Sequence, residues 1–531
     1  MNQESLFQKP QPTWSIKVSQ LSSRKQRLDA ALAAVLAFVV PFALVYFYIL
    51  NHFYQRGAFF FDSGWLADLM WHKNLALSNP NVLLLNVIKA DQHFPPWSYY
   101  GTHISPIFSI ISSLSYALPF DRVQVFAIYS GAAHGLLGLF MCRIFSRWWF
   151  TPSVIWLVFA TIFSVAFALN GLAISIATYP HFELLISALF LGCLYFLLEK
   201  RIVLAGITAF LAMLVREDAG FHLVAMLSLF VALNCLKGMP LKSQKPLCVF
   251  VVLAFLYSCL AIVAQKLAFP HFSSFRWVYG NPPFGHVTIE LLAKRLTEIW
   301  HSRVCVWLPL VLLVAGAALF RTPYVFVGAI AFIPWLSVQL LAVGETAGTL
   351  NAHYAYPVIL SIGWIGISLA IDAPRSIIDK LLRASFAAVL IAATFVATPA
   401  VSVFLRDCIP SEFALHPQPT RTFMTLLEQT VPLINRVRAD AGIISLSPES
   451  FSPDAWLRPQ AWVKEPPSKD TEMLIFFRDG YEHPKAIAQV EAMRDPHVYQ
   501  VPHTEIMVVT SGPSDPNFPI SRVLQQTQMN P

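Results

Sequence analysis

Apolar stretches of about twenty residues recur along the chain, and no other feature constrains its fold as strongly. A helix of that length crosses the hydrocarbon core of a bilayer while satisfying its own backbone hydrogen bonds. Hydrophobic residues make up 56% of the 531 residues and charged residues only 13%, about half the charged fraction of an ordinary soluble domain. The sequence therefore predicts an all-α polytopic membrane protein.

The first apolar stretch, Ala30–Leu50, follows a basic segment and continues directly into NHFYQRG. A cleavable signal peptide would have a shorter apolar core and a small-residue cleavage site, so we predict an uncleaved span after a tail of residues 1–29. Further candidates bring the predicted total to about eleven. They are Val123–Cys142, Phe150–Leu169, Phe182–Leu198, Ile202–Val215, Ala219–Leu236, Leu247–Ala268, Val304–Phe320, Tyr324–Leu341, Tyr354–Ile371 and Ala384–Leu405.

A shorter apolar run, Ile104–Leu118, decides the orientation of everything after it. It contains several serines and is closed by Pro119. If it lies along the interface, the loops rich in Lys and Arg are cytoplasmic, and loops 170–180 and 343–352, which lack both residues, are outside. The positive-inside rule favours this arrangement. We therefore predict an interfacial or re-entrant helix, a cytoplasmic N-terminus and a first outer loop at residues 51–122 with juxtamembrane helices.

The tail has a different composition from the membrane region of residues 30–405. From residue 406 to residue 531 it is polar, and short helix-like and strand-like stretches alternate. This pattern predicts a small outer α/β domain. The helix-like stretches are Phe423–Arg438 and Pro484–Met493, and the strand-like ones are Ile443–Leu446, Met473–Phe477 and Ile506–Thr510.

Charge and cysteine usage exclude two classes of function. The formal charge is +7, but the basic residues crowd the short loops, as the positive-inside rule expects, so nucleic acid is not a predicted partner. The seven cysteines include no C-x-x-C pair, and therefore neither a zinc site nor a dithiol site is indicated by cysteine.

Asp62 is the first of several ionisable residues placed beside apolar segments, where such groups are costly and often functional. It follows three phenylalanines in FFFDSGWLADLMWH. A carboxylate against an apolar wall has a raised pKa and suits a general base. The alternative is an N-cap for a juxtamembrane helix. Asp68 and His72 fit a polar helix face.

Two further clusters contain histidine. His103 in GTHISPI opens the interfacial run, where it either binds a phosphate or is a satisfied polar residue. His181 and Glu183 in YPHFELL form an H-x-E pair. Catalytic metal sites normally have three protein ligands, so we expect no metal here. A Glu at a helix N-terminus, favourable to the helix dipole, is the alternative.

The remaining polar clusters are LVREDAGFHL and LNAHYAYP. The first places Arg216, Glu217 and Asp218 between two apolar helices almost without a loop. These charges either form a buried ion pair that joins the helices, or bind substrate, with Arg216 on a phosphate. The second cluster adds His353 and Tyr354 at the end of another span.

Several stretches in series resemble an uncharacterised family of bacterial multi-pass membrane proteins. This family is similar to the GT-C superfamily of glycosyltransferases. The resemblance covers nearly the whole chain and is carried by FFFDSGW, HISPI, YPHFELL, VREDAGFHL, HYAYP and, in the tail, IISLSPESFSPDAWLRPQAWV and MLIFF.

The resemblance implies an inverting enzyme that moves a sugar from a polyprenyl-phosphate donor to an acceptor hydroxyl on the outer face of the membrane. Asp62 is then the expected base, with Glu217 and Asp218 in reserve. Ser63 stands where many relatives have a second acid, so neither a metal nor another cofactor is expected. Substrate contacts are expected from His103, His181, Glu183, Arg216, His353 and Tyr354.

Two other functions stay open. A transporter or flippase of a lipid-linked molecule would favour inverted repeats and polar groups at mid-membrane, whereas the sequence has no repeat and its polar clusters lie at one face. A non-catalytic scaffold would display the outer domain but leave the charges of residues 216–218 without a purpose. We expect the bacterial inner membrane as the location and membrane lipid as a partner, with lipid, glycan or protein as the acceptor.

Overall fold

The computed structural model describes residues 24–56, 66–67, 69–71, 103–146, 153–179, 181–268, 274–371, 376–411, 415, 418–434, 436–439, 467–478 and 483–527. The membrane part of this range is helical. Its helices are α1 (Arg24–Arg56), α2 (Ile107–Tyr116), α3 (Arg122–Ile144), α4 (Val154–Ala168), α5 (Gly171–Thr178), α6 (Leu184–Leu198), α7 (Ile202–Val215), α8 (Ala219–Leu236), α9 (Lys245–Ala268), α10 (Ser274–Tyr279), α11 (Ile289–Ser302), α12 (Val304–Phe320), α13 (Phe326–Leu340), α14 (Glu345–Gly348), α15 (Tyr356–Ile371), α16 (Ile377–Phe395) and α17 (Ala400–Asp407).

Five segments in the described part of the chain are long and apolar enough to cross a membrane, and three bent helix pairs raise this number to eight if each pair is one span. The bent pairs are α4 with α5, α11 with α12 and α16 with α17. Where the structure describes them, the predicted spans coincide with helix, although Ala384–Leu405 is divided between two helices. However, α6 and α7 have only 15 and 14 residues, fewer than the ~20 that cross a bilayer core unaided. The total of about eleven therefore stays a prediction.

Two predicted features of the membrane part differ in the structure. The segment Ala384–Leu405 is not one straight span, because α16 ends at Phe395 and the chain turns by 95° before α17. The loop predicted at residues 170–180 contains α5. This helix begins there because Asn170 caps it: its side chain accepts hydrogen bonds from the backbone N–H groups of Leu172 and Ala173. Backbone N–H groups in the first turn of a helix have no partner within the helix, so such a cap stabilises its start.

Helix α2 is the run that we predicted to lie at the interface. It has 10 residues and therefore rises about 15 Å, half of a ~30 Å hydrocarbon core. The hydroxyls of Ser112 and Ser115 donate to the carbonyl oxygens of Trp71 and Met70, at 2.6 and 3.3 Å. A helix this short, fastened along one side, fits an interfacial or re-entrant element.

Helices α1 and α3 pack closely because glycines line their contact. A Cβ atom added at Gly138 would lie 2.0 Å from the carbonyl oxygen of Ala37, and one at Gly131 would lie 2.8 Å from that of Phe42. Small residues permit such an approach between helices in lipid, where van der Waals packing drives association.

The tail folds around a five-stranded sheet of order β1-β2-β4-β3-β5. Strands β1 and β2 are parallel, and the other pairs are antiparallel. Apolar side chains are buried on both faces, under α18 on one side and α19 on the other. The strands are β1 (Val437–Ala439), β2 (Met473–Phe477), β3 (Pro496–Gln500), β4 (Ile506–Ser511) and β5 (Gln525–Gln526), and the helices are α18 (Gln418–Thr430) and α19 (His483–Ala492).

Three of the predicted tail elements, Pro484–Met493, Met473–Phe477 and Ile506–Thr510, coincide with α19, β2 and β4. The predicted helix Phe423–Arg438 is too long, since α18 ends at Thr430 before Pro432 and the chain then enters β1. Strand β3 was not predicted. The predicted strand Ile443–Leu446 lies outside the described residues.

Side-chain bonds connect the first helix to the tail. The Asn51 amide donates to the carbonyl oxygens of Asp407 and Ile409, each at 2.7 Å. His52 Nε2 lies 3.0 Å from an oxygen of the Asp407 carboxylate. Because these bonds join residues far apart in sequence, they hold the end of α1 against the end of α17.

Replacing Gly138 with alanine should destabilise the α1–α3 contact, because the added methyl group meets backbone that cannot move aside. Overpacking of this kind costs about 1–3 kcal/mol. We expect a lower melting temperature of the detergent-solubilised protein by differential scanning fluorimetry. Gly206→Ala is the matched control, since its Cβ would meet Phe250 at 3.6 Å, an ordinary contact. Equal melting temperatures for both variants would contradict this account of the packing.

The predicted orientation can be tested with exposed positions in two loops. In a variant without native cysteines, Thr346→Cys should react in intact cells with a maleimide that does not cross membranes, and Ser243→Cys only after lysis. Both positions are exposed. The reverse pattern of labelling would place the loop at 343–352 in the cytoplasm and overturn the orientation.

Candidate functional site

The polar clusters found in the sequence lie in the connections between helices. His103 precedes α2, the pair His181 and Glu183 precedes α6, residues 216–218 join α7 to α8, and His353 lies in a 3₁₀ turn before α15. Each helix ends there because a break in the apolar sequence coincides with an extended or turn-like backbone. At Arg216, for example, φ is −157° and ψ is 144°. The fold brings these four connections into contact.

Glu217 joins its own connection, residues 216–218, to the one that contains His103. One oxygen of its carboxylate accepts a hydrogen bond from His103 Nδ1 at 2.9 Å, and the other accepts one from the backbone N–H of Ile104 at 3.0 Å. The Glu217 side chain is only 9% exposed. Both carboxylate oxygens are therefore committed to the segment that leads into α2.

Arg216 lies between two other carboxylates. Its Nη1 donates to an oxygen of Glu183 at 3.0 Å. Its Nε lies 3.0 Å from an oxygen of Asp218, but this pair is an ionic contact rather than a hydrogen bond, because the donor and acceptor are not aligned. The guanidinium carbon lies 4.8 Å from the centre of the Trp335 ring. The cation is thus fixed by two opposite charges and an aromatic face.

His181, Glu183 and His353 form the third part of the cluster. His181 Nδ1 donates a hydrogen bond to the second oxygen of Glu183. The imidazole rings of His181 and His353 stack with their centres 3.7 Å apart and their planes 6° apart. Tyr179 and Tyr354 lie on either side, with ring centres 5.9 and 4.1 Å from that of His353. One potential ligand atom of each of the three residues lies within 4.8 Å of the others.

Burial and charge set the protonation of the acids in these connections. Burial opposes ionisation of Glu217, yet the charge and hydrogen bond of His103 keep its pKa low. Burial raises the pKa of Asp218, and the Glu217 carboxylate adds to that rise against Arg216. Asp218 is therefore the acid of the cluster that takes up a proton most readily.

His353 has the opposite charge preference. Burial lowers its pKa well below the usual value, and the neighbouring His181 adds to this effect against the Glu183 carboxylate. Its imidazole is therefore neutral at pH 7. A neutral imidazole offers one ring nitrogen as an acceptor or metal ligand.

Behind the cluster lies a set of aromatic and imidazole contacts that the sequence analysis missed. His222 Nδ1 donates to the carbonyl oxygen of Ala331 at 2.7 Å, so its Nε2 accepts from the hydroxyl of Tyr356, 3.1 Å away. The indole N–H of Trp335 donates to the carbonyl oxygen of Tyr354 at 2.7 Å. The sequence did offer a signal for His222 and Tyr356, because they belong to VREDAGFHL and HYAYP, two stretches with polar residues inside apolar runs. It offered no signal for Trp335.

Tyr354 lies beside His353: its backbone carbonyl accepts a hydrogen bond from Trp335, and its ring packs on that of His353. Its expected role as a substrate contact stays a prediction. Asp62, Asp68 and His72 lie outside the described residues. The roles assigned to the other residues stay predictions. His181, Glu183, Arg216, Asp218 and His353 form one chain of contacts, and the pair of His103 and Glu217 adjoins it through the peptide bond between Arg216 and Glu217.

Comparison with known proteins yields matches at the level of structure. No family model and no curated protein matches this chain. The chain is similar to crystal structures of ArnT from Cupriavidus metallidurans, one bound to undecaprenyl phosphate and one in the apo state, each with 12% identity and a TM-score of 0.43. The first match covers 92% of this chain and 99% of the other, and the second covers 91% and 100%. Similarity at this level identifies neither a family nor an activity.

Glu217→Ala should strongly destabilise the cluster, because it leaves two donors and a nearby guanidinium without their buried acceptor. Removing one partner of a buried ion pair costs about 3–5 kcal/mol. At pH 7 the carboxylate is ionised in the folded state, and because its pKa is lowered, its contribution is lost only as pH falls through that lowered value. We expect a lower melting temperature and faster hydrogen exchange across residues 103–116.

Glu345→Ala is the matched control for that experiment. Glu345 pairs with Lys294 at 3.5 Å, and both side chains are 69% exposed, so this pair contributes at most about 1 kcal/mol. If the two variants lost the same stability, or if exchange at residues 103–116 did not change in Glu217→Ala, Glu217 would not be the anchor of α2.

Proposed function

We propose that this protein is a GT-C-type glycosyltransferase that moves a sugar from a polyprenyl-phosphate donor to an acceptor hydroxyl on the outer face of the membrane. One observation carries the proposal, namely that ionisable residues from four separate connections meet in two contact groups, which the neighbouring residues Arg216 and Glu217 join. A polar residue next to lipid needs one partner to be tolerated, and a local partner would suffice. Assembly of seven such residues at one place instead fits a site that handles a charged substrate.

Arg216 is the residue that we assign to the phosphate of the donor. When the bond between the sugar and the phosphate breaks, negative charge grows on the phosphate oxygens. A cation that is already held in place stabilises this charge without reorganising. Glu183 and Asp218 hold the guanidinium from two sides. His103, whose side chain is 23% exposed, is the second candidate donor to the phosphate.

The acceptor hydroxyl needs a base, and we assign this role to Asp62 on the basis of the sequence resemblance. The contacts of the two reserve acids distinguish them. Glu217 has both oxygens committed to His103 and Ile104, whereas Asp218 is 25% exposed and has a raised pKa. A base whose pKa lies closer to neutral is more effective, so Asp218 is the better reserve. A single displacement by the hydroxyl inverts the anomeric carbon.

The location of the cluster suits a donor that stays in the membrane. Its residues lie at the ends of apolar helices and not in the sheet domain. Withdrawing a prenyl chain from lipid costs roughly 0.8 kcal/mol per CH₂ group, so the reacting phosphate must be met at the membrane surface. The proposed setting is the outer face of the bacterial inner membrane, and the acceptor is a lipid, a glycan or a protein.

Asp62→Asn should abolish sugar transfer and leave the amount of folded, membrane-inserted protein unchanged, because only the proton acceptor is lost. The measurement is transfer of radiolabelled sugar from endogenous polyprenyl-linked donors in membranes that contain the variant as the only copy. General-base catalysis contributes about 10²–10⁴-fold, so a loss of that size is expected.

Asp68→Asn is the matched control, since it removes a carboxylate from the same loop that we assign to a polar helix face. It should retain most of the activity. Full activity in Asp62→Asn together with a large loss in Asp218→Asn would move the base to Asp218. Full activity in both Asp62→Asn and Asp218→Asn would show that neither carboxylate acts as the base and would contradict the proposed mechanism.

A further inference from the structure

The triad of His181, Glu183 and His353 has the composition of a metal site. The sequence shows only His181 and Glu183 together, and the fold adds His353 from the 3₁₀ turn before α15. One potential ligand atom of each residue lies within 4.8 Å of the other two. Glu183 and His353 are 1% and 5% exposed, so these atoms converge in a buried place.

We propose that the triad binds one divalent transition-metal ion, with zinc(II) expected from the ligand set. Two imidazole nitrogens and one carboxylate oxygen provide three ligands, which is the number found in catalytic zinc sites. The fourth position of a tetrahedral ion then stays open for water or for a substrate oxygen. This inference replaces our expectation of a metal-free site, which rested on the two residues visible in the sequence.

Arg216 supplies the outer support that metal-binding carboxylates commonly have. Its Nη1 donates to Oε1 of Glu183 at 3.0 Å, while the other oxygen, Oε2, faces His181. The hydrogen bond thus fixes the carboxylate with one oxygen turned towards the histidines. Such outer contacts orient ligands and contribute substantially to metal affinity.

His353 provides a second, independent observation. Its Nδ1 is buried and has no hydrogen-bond partner among the residues that the structure describes. Leaving a buried polar atom unsatisfied is unfavourable, because it loses its hydrogen bonds to water and gains none in the fold. A bond to an ion accounts for this nitrogen, whereas a hydrogen-bonded structural cluster does not.

Binding requires a small adjustment of the side chains. The rings of His181 and His353 are nearly parallel at 3.7 Å, and two parallel rings cannot both direct an in-plane lone pair at one point. Zinc–nitrogen bonds are about 2.0–2.1 Å long, so two ligating nitrogens lie at most about 4.2 Å apart. Tilting one ring lets both nitrogens point at one ion and keeps them within that distance. A bond from His181 Nδ1 to the ion then replaces its hydrogen bond to Glu183, and the proton of His181 is carried by Nε2.

The charge of the cluster gives the ion a role, and this step rests on the proposed function. Three carboxylates, those of Glu183, Glu217 and Asp218, face the single guanidinium of Arg216. A phosphate that approaches is repelled by each of these carboxylates that is ionised. A divalent ion bound to Glu183 offsets this repulsion and offers its open position to a phosphate oxygen.

Metal content of the full-length protein tests the inference. The chain is purified without a polyhistidine tag, depleted with a chelator, and titrated with zinc(II) or cobalt(II). We expect about one ion per chain, affinity lowered at least tenfold in His353→Gln and in His181→Gln, and wild-type affinity in His497→Ala. His497 lies in the sheet domain and pairs with Asp495 at 3.3 Å, so this control also removes one histidine.

X-ray absorption of the zinc-loaded wild type gives a reading that does not depend on the folding of any variant. A spectrum that shows two imidazole ligands and one carboxylate ligand supports the proposed site. The proposal is overturned if the wild type binds no ion, or if His353→Gln binds the ion as tightly as the wild type does. Binding of one ion per chain without sugar transfer would support the metal site and count against the transferase. Sugar transfer by metal-free protein would support the transferase and count against a role of the ion in it.

Discussion

The contact between Arg216 and Glu183 is the interaction on which the rest of the site depends. The two residues precede α8 and α6, and their side-chain atoms meet at 3.0 Å in a place where Glu183 is 1% exposed. Water solvates neither group well there, so each requires the other. This requirement fixes the relative position of two helices. Glu183 extends the contact to His181, and Asp218 meets the same guanidinium from another side. Loss of either partner would remove part of the compensation of a buried charge, with Asp218 still beside Arg216 and His181 still beside Glu183, and would cost up to about 3–5 kcal/mol.

A pair of this kind is not an efficient way to stabilise a fold. Well-packed apolar side chains of the same volume are often as stable as a buried ion pair or more stable, and the neighbouring helices already pack through apolar residues. The same argument applies to Glu217, which binds a backbone N–H and a histidine. The cluster therefore does not follow from stability alone. Its charges are explained by a substrate whose own charge must be matched, and this reasoning connects the fold to the proposed transfer from a lipid phosphate.

The sequence was sufficient for the features that depend on local pattern. Apolar stretches located the long helices of the membrane part, and serines and a terminal proline predict that α2 does not cross the membrane. Polar residues in apolar surroundings singled out His103, Glu183, Arg216 and Glu217, which the structure places in the connections between helices. These inferences share one basis, because a polar group next to lipid is costly and is therefore usually functional.

Features that depend on distant residues could not be read in this way. The 95° turn between α16 and α17 lies within one apolar run, where Pro399 directly before α17 marks a break but does not give its angle. The stacking of His353 on His181 could not be predicted, since the two belong to different motifs and no periodicity connects them. For this reason the sequence showed only two of the three possible metal ligands, and we expected no metal. Strand β3 was missed because its residues are mostly polar and only partly buried.

A structure of the full-length protein in lipid nanodiscs with undecaprenyl phosphate tests the central claim most directly. The account predicts that the phosphate lies within hydrogen-bond distance of the Arg216 guanidinium, with the prenyl chain passing between helices into the lipid. It also predicts that the phosphate is absent from this place in Arg216→Gln. A phosphate bound elsewhere, or bound in the same place without Arg216, would contradict the claim that this cluster is the site of sugar transfer.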